Sequence, residues 1–157
     1  DNGFAITDDA VKEGFAHVTS LTGLQGRWQV VSSSPTVICD TGHNTGGMQY
    51  IARQLQEIPH KRLRIVIGMV NDKDISGVIA MLPTDATYYF TQASVARAMK
   101  AGDIARIGAE HGLKGETYAT VAEAYRAARA DSDSQDVIFV GGSTFVVADF
   151  LRECAGK

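Results

Sequence analysis

No stretch of this sequence stays apolar for the ~18 residues that a membrane-spanning helix needs, and no basic-then-apolar leader opens it. Neither membrane insertion nor secretion is therefore expected. Cysteine is scarce: Cys39 sits inside an apolar run and Cys154 in the closing amphipathic stretch. Two such residues build no disulfide framework, and both are expected as buried thiols of a reducing cytoplasm. Positive charge is not in excess, since 15 Lys and Arg face 18 Asp and Glu for a net charge of -3. That balance offers no electrostatic footprint for nucleic acid. Several chemical signatures are missing too. There is no GxxxxGK loop followed by Ser or Thr, no GxGxxG, no CxxC or HExxH, and no GxSxG elbow.

What remains is an ordinary globular composition, 45% hydrophobic and 21% charged over 157 residues, enough for one domain with its own core. The chain opens at Asp1 rather than Met, as expected of a piece of a longer polypeptide.

Apolar spacing organises the chain. Thr7 followed by Asp8 and Asp9 has the form of a helix start, and Val11, Phe15 and Val18 extend an amphipathic helix over 8–19. ThrGlyLeuGlnGly (22–26) breaks it, and 27–32 alternates as a strand. Continuous apolar strands are expected at 36–39, 63–70, 86–91 and 137–140, with a short one at 116–119. Helical faces fall between them: Met48, Ile51, Ala52 and Leu55; Ile75, Val78, Ile79 and Leu82; residues 95–111; residues 121–130; and a closing helix over 145–154. Buried strands alternating with helices imply an α/β fold. The expectation is a three-layer, Rossmann-like domain, with helices on both faces of a mostly parallel sheet of about six strands and one antiparallel edge strand.

Ligands of such sheets bind beyond the carboxyl ends of the strands. Three strand ends carry unusual chemistry: AspThrGlyHisAsnThrGlyGly (40–47), GlyMetValAsnAspLysAsp (68–74) and GlyGlySerThr (141–144). Each has a plain reading. Asp40 can cap its own loop, Asp72 and Asp74 can start the next helix, and a Gly-rich helix start need bind nothing. Their convergence on one edge is what points to a site.

The same segments, in order, resemble a known family. GlyLeuGlnGlyArgTrpGlnVal followed by AspThrGlyHisAsnThrGlyGly resembles the C-terminal domain of the Mur-ligase superfamily, where a GRxE-like strand precedes an Asp-x-Ala-His-Asn-Pro segment. GlyMetValAsnAspLysAsp is similar to the corresponding segment of the folylpolyglutamate synthase/dihydrofolate synthase branch, and PheValGlyGlySerThr with the helix after it resembles that branch's closing segment. Gln29 stands where an acid is common, Thr41-Gly42 replaces Gly-Ala, Thr45 replaces Pro, and AlaSerValAlaArgAla (93–98) replaces a Pro-rich stretch.

The resemblance implies residues 1–24 as a lead-in from an upstream P-loop ATPase domain and 25–157 as the C-terminal domain. It implies an ATP-dependent ligase in which a carboxylate becomes an acyl phosphate and the amino group of glutamate displaces the phosphate. ATP and Mg2+ would be bound mostly by the upstream domain. By the same resemblance Arg27 would reach the ATP phosphates and Asp40 and Asn44 would contact nucleotide. His43 would be catalytic, while Asp72, Lys73 and Ser143 would bind substrate. Glutamate and dihydropteroate or folate would be the substrates, in the cytoplasm. A free-standing nucleotide- or metabolite-binding module and a peptidoglycan-precursor ligase domain are the other readings; the 68–74 segment argues against the latter.

Overall fold

The computed structural model describes residue 3, residues 5–71 and residues 74–154. Asp72 and Lys73 lie outside the described residues.

Two short helices come first, α1 (Asp8–Ala16) and α2 (Val18–Thr22). Thr7 caps α1 by accepting the Ala10 N–H at 3.1 Å. The single helix expected over 8–19 is thus split at His17, and neither piece buries a residue. With no residue buried, local hydrogen bonds and exposed contacts such as Lys12–Asp9 are what hold these turns, so the axis is free to break.

A six-stranded sheet follows: β1 (Gln29–Ser33), β2 (Thr36–Asp40), β3 (Leu63–Ile67), β4 (Thr87–Phe90), β5 (Lys114–Thr117) and β6 (Val137–Gly141). The spatial order is β1-β2-β6-β3-β4-β5. Only the β1–β2 pair is antiparallel. Helices α3 (Thr45–Glu57), α4 (Ile75–Ile79), α5 (Ala101–Glu110), α6 (Val121–Ala130) and α7 (Thr144–Glu153) fill the connections.

Period-two alternation assigns each strand residue to a face. Ile38, Ile65, Ile67, Tyr88, Phe90 and Phe139 point into a core with Met48, Ile51 and Leu55 of α3, Val78 and Ile79 of α4, and Ile104 of α5. Val37, Cys39, Val66, Tyr89, Ile138 and Val140 point the other way, against Val121, Ala124 and Ala128 of α6 and Val146, Val147 and Phe150 of α7. The expected three layers are present. The winding runs outward from β2 through β3 and β4 to β5 with helices on one face, then returns to β6 by α6 on the other. β6 therefore lies between two strands whose following helices leave on the opposite face, which opens a crevice beside its carboxyl end.

Several boundaries differ from the spacing. The strand expected at 27–32 begins only at Gln29, and the helix expected to include Leu82 ends at Ile79. The 63–70 run stops being strand at Ile67, and at the next residue, Gly68, a Cβ would lie 2.8 Å from the carbonyl oxygen of Thr91, just beyond β4. Residues 95–100 are not helix. There the main chain pairs with the segment after β3, through Asn71 N–H to Arg97 O at 3.2 Å and Met99 N–H to Met69 O at 2.9 Å. The strand expected at 116–119 sits at 114–117, exposed along its whole length on the sheet edge.

Cys39 is buried as expected, whereas Cys154 is only half-buried. Burial, and then the neighbouring charge of Asp40, push the Cys39 thiol up to about 12. An unfolded thiol ionises near ~8.5, so between that pH and about 12 the unfolded chain gives up a proton that the folded chain keeps. This contribution is intact below ~8.5 and is lost as pH rises. Urea midpoints from pH 8 to about 10.5 should fall more steeply for the natural chain than for Cys39→Val; equal slopes would show that the thiol carries no part of the alkaline loss.

Candidate functional site

Because β1 runs antiparallel to β2, with Gln29 opposite Cys39, the residues just before β1 reach the carboxyl edge of the sheet beside residues 40–44. Asp40 joins the two. Its Oδ2 accepts the Trp28 N–H at 2.7 Å and its Oδ1 accepts the Gly42 N–H at 2.7 Å. The Thr41 N–H donates to the Gly26 carbonyl at 2.9 Å. Trp28 adopts φ 43°, a conformation that bulky side chains rarely take and that costs on the order of 1–3 kcal/mol. The Asp40 bond and the contact of its ring with Phe139, centroids 6.4 Å apart, hold it there. An apolar strand ends in aspartate here because the carboxylate ties down the loops on both sides.

Between these fixed points Arg27 is exposed and makes no ion pair or hydrogen bond with any of the described residues. Other guanidinium groups are engaged, as in Arg53–Glu57, Arg64–Asp136, Arg106–Glu110 and Arg152–Asp149. A guanidinium left without a carboxylate at a strand-end crevice suits a phosphate.

His43 turns its Nδ1 to the Thr41 carbonyl at 3.0 Å. A carbonyl only accepts, so Nδ1 carries the proton and Nε2 of the neutral ring keeps its lone pair. Asn44 caps α3, its Oδ1 accepting the Gly47 N–H at 2.8 Å. Across the crevice Asp74 caps α4 by accepting the Gly77 N–H at 3.0 Å. His43, Asn44 and Asp74, together with the apolar Met69, Val70 and Val78 and the backbone of Gly142, line a cleft of about 140 Å³. Gly142 has φ 89°, and a Cβ there would stand 2.7 Å from the Gly68 carbonyl, so only glycine lets the β6 and β3 ends meet.

The sequence-derived residues are thus divided. His43 and Asn44 line the cleft, whereas Arg27 and Asp40 are not in its lining and share only its sheet edge, on the β1–β2 side. Ser143 is 2% exposed and turns inward as the cap of α7, accepting the Phe145 N–H at 3.2 Å; its neighbour Gly142 faces the cleft instead. Asn71 and Asp74 flank the position of Asp72 and Lys73. Met69 and Val70, inside the 68–74 segment, read as the end of the 63–70 strand rather than as lining residues, and nothing in the sequence marks Trp28 as left-handed. Among the described residues no three His, Cys, Asp or Glu side chains are grouped to hold a metal ion, and no helix is long and apolar enough to cross a membrane.

Known proteins share this fold. The family model described as "Mur ligase, glutamate ligase domain" matches residues 26–144. A dihydrofolate synthase/folylpolyglutamate synthase of Escherichia coli (strain K12) is 34% identical over 153 residues, which cover 96% of this chain and 34% of that protein. Escherichia coli FolC in complex with DHPP and ADP superimposes with a TM-score of 0.82 at 31% identity, covering 96% of this chain and 35% of that one. A bifunctional folylpolyglutamate synthase/dihydrofolate synthase with Mn, AMPPNP and L-glutamate bound gives a TM-score of 0.78 at 32% identity, with the same coverage of 96% and 35%. The chain therefore spans about a third of the length of the relatives it matches.

Proposed function

The chain belongs to the Mur ligase family, matching its glutamate ligase domain, and on that premise we propose that it is the C-terminal, site-closing domain of an ATP-dependent ligase that joins glutamate to dihydropteroate or to a folate. The observation that carries the reading is the cleft at the β2–β6–β3 edge. At about 140 Å³ it is smaller than the ~300–1,000 Å³ of a complete small-molecule pocket. Arg27, exposed at the same sheet edge just before β1, has no ion-pair partner among the described residues. Such a cleft suits half of a site that a second domain completes on closure.

When bound, ATP with Mg2+ supplies a γ-phosphoryl group to a carboxylate oxygen, with ADP leaving. The glutamate nitrogen then forms its bond to the acyl carbon, the carbon–oxygen bond to phosphate breaks, and the nitrogen loses a proton. For this chain's residues, Arg27 fits a phosphate oxygen, and His43 Nε2 is the atom free to take or hold a proton at the cleft. Asn44 and Asp40 belong beside the nucleotide, with Asp40 chiefly keeping Arg27 and His43 at a fixed separation. Asp72, Lys73 and Ser143 are proposed on the substrate side. The solved relatives carry ADP, or AMPPNP with Mn. Mg2+ is assigned mainly to a preceding P-loop ATPase domain, in keeping with the family resemblance. Closing two domains over an acyl phosphate keeps water from it.

Glutamate-dependent ADP formation tests the reading, using the longer polypeptide with dihydropteroate or tetrahydrofolate as acceptor and this chain alone as the control. Turnover is expected from the longer protein and not from the chain alone. A longer protein that forms no ADP with either acceptor would overturn the proposal.

A further inference from the structure

Asp149 stands on the inward side of α7, 7% exposed, where Val146, Val147 and Phe150 of the same helix pack against the sheet. A carboxylate among apolar neighbours needs compensating donors, and two of its three come from a different part of the fold. Its Oδ2 accepts the Ser94 N–H at 2.7 Å and its Oδ1 accepts the Ser94 hydroxyl at 2.8 Å, with Arg152 Nη2 donating to Oδ1 at 2.7 Å from the solvent side. Ser94 lies in residues 91–100, the irregular stretch between β4 and α5. That stretch is tied to α7 a second time, by the Arg97 guanidinium 4.9 Å above the Phe145 ring.

The same stretch carries the far wall of the cleft. The Asn71 N–H reaches the Arg97 carbonyl at 3.2 Å, the Met99 N–H reaches the Met69 carbonyl at 2.9 Å, and Val70 and Ala98 form an antiparallel bridge. Met69, Val70 and Asp74 then line the cleft opposite His43 and Asn44. Residues 68–71 are no longer within a strand, so the 91–100 stretch is their main support on that side. The main chain of residues 94–99 therefore joins the Asp149 carboxylate, bonded to Ser94 at one end, to the cleft wall, bonded to Arg97 and Met99 at the other, while Asp149 does not line the cleft.

We propose that Asp149 is a positioning residue: from the buried side of α7 it clasps Ser94, and through residues 91–100 it fixes the wall formed by Met69, Val70 and Asp74. Removing the clasp frees that wall while leaving the sheet and its two cores in place. The kinetic consequence rests on the ligase reading given above; the structural consequence does not.

The test has two parts. Amide hydrogen exchange on this chain compares the natural sequence with Asp149→Ala, Ser94→Ala and Ser94→Thr. Asp149→Ala should speed exchange at Asn71 and Met99 by about tenfold or more, with Ile65 and Val140 in the central strands unchanged. Ser94→Ala should do so more weakly, and Ser94→Thr, which keeps both donors, should restore the natural rates. Uniform acceleration that includes the central strands would make Asp149 merely structural, and no acceleration at Asn71 and Met99 would remove the path; either overturns the proposal. Kinetics on the longer polypeptide form the second part. Asp149→Ala should lower kcat/KM by about tenfold to a hundredfold at temperatures where the variant is fully folded. Arg152→Ala, which leaves the Ser94 clasp intact, should not. Natural kcat/KM in Asp149→Ala would overturn the assignment. A longer protein inactive in its natural form would count against the ligase reading alone, because the exchange measurement still decides the clasp.

Discussion

On the proposed ligase reading, Arg27→Ala in the longer polypeptide should lower turnover by about a hundredfold to a thousandfold, the range seen when one preorganised donor to a developing charge is removed. The loss should fall on kcat, since a guanidinium aimed at a transferring phosphoryl group acts most strongly where charge spreads in the transition state. Folding should scarcely change: Arg27 is exposed and has no partner among the described residues whose loss could unbalance the fold. Arg27→Lys should recover only part of the activity, because an ammonium does not reproduce the planar fork. His43→Ala belongs with it, at about a hundredfold if the ring handles a proton. His43→Gln helps to separate proton transfer from simple contact, since glutamine offers hydrogen bonds but does not titrate. Natural turnover in Arg27→Ala and His43→Ala, with melting temperatures unchanged, would remove both assignments.

The largest loss of stability should come from the opposite edge of the sheet, far from the cleft. Arg64, at the start of β3, and Asp136, just before β6, form a buried ion pair with Nη1 and Oδ2 2.7 Å apart and side chains 5% and 1% exposed. Asp136 Oδ2 also accepts the Asp133 N–H at 2.9 Å, and Arg64 Nη2 donates to the Asp131 carbonyl. Asp136→Ala leaves a buried guanidinium without its counter-charge, an error that costs about 3–5 kcal/mol. Against a typical domain stability of ~5–15 kcal/mol, that is enough to leave the chain marginal. Replacing both partners, as in Arg64→Met with Asp136→Leu, should restore most of the loss, because a packed apolar pair is often no worse than a buried ion pair. Denaturant midpoints for the two single variants and the double decide the matter. A double variant as unstable as the worse single would show that hydrogen bonds to the 131–136 turn, rather than the unpaired charge, hold this edge.

Periodicity made the layers legible. The short continuous apolar runs at 36–39 and 137–140 read as strands covered on both sides and are so in the structure, and Met48, Ile51 and Leu55 do form the buried face of α3. Periodicity misleads where main-chain pairing replaces side-chain packing. Val95, Ala98 and Met99 are spaced like a helix, yet the backbone beside them pairs with Met69 and Asn71, which a helix forbids. At Lys114–Thr117 every residue is exposed, so no alternation fixes the register, and spacing placed the strand two residues late. The three loops of the site could be found because glycine, aspartate and histidine at strand ends are conspicuous. What each residue does there was less legible. Asp40 spends both oxygens on backbone N–H groups and Ser143 spends its hydroxyl on a cap, and which bonds a polar side chain makes is decided by loops folding together from distant parts of the chain.

The two outer strands have a consequence for how the molecule behaves in concentrated solution. A sheet edge that is long, flat and apolar invites another chain to add to it. At one margin β5 is four residues long and carries Lys114 and Glu116, whose charges must be stripped of water before a newcomer could pair. At the other, β1 shifts register between Val30 and Ser32, which bends the row of N–H and C=O groups away from the straight line that a second strand needs, although Val30 itself is 56% exposed. Each margin resists growth by its own means, so this sheet is built to stop at six strands rather than to seed a fibril.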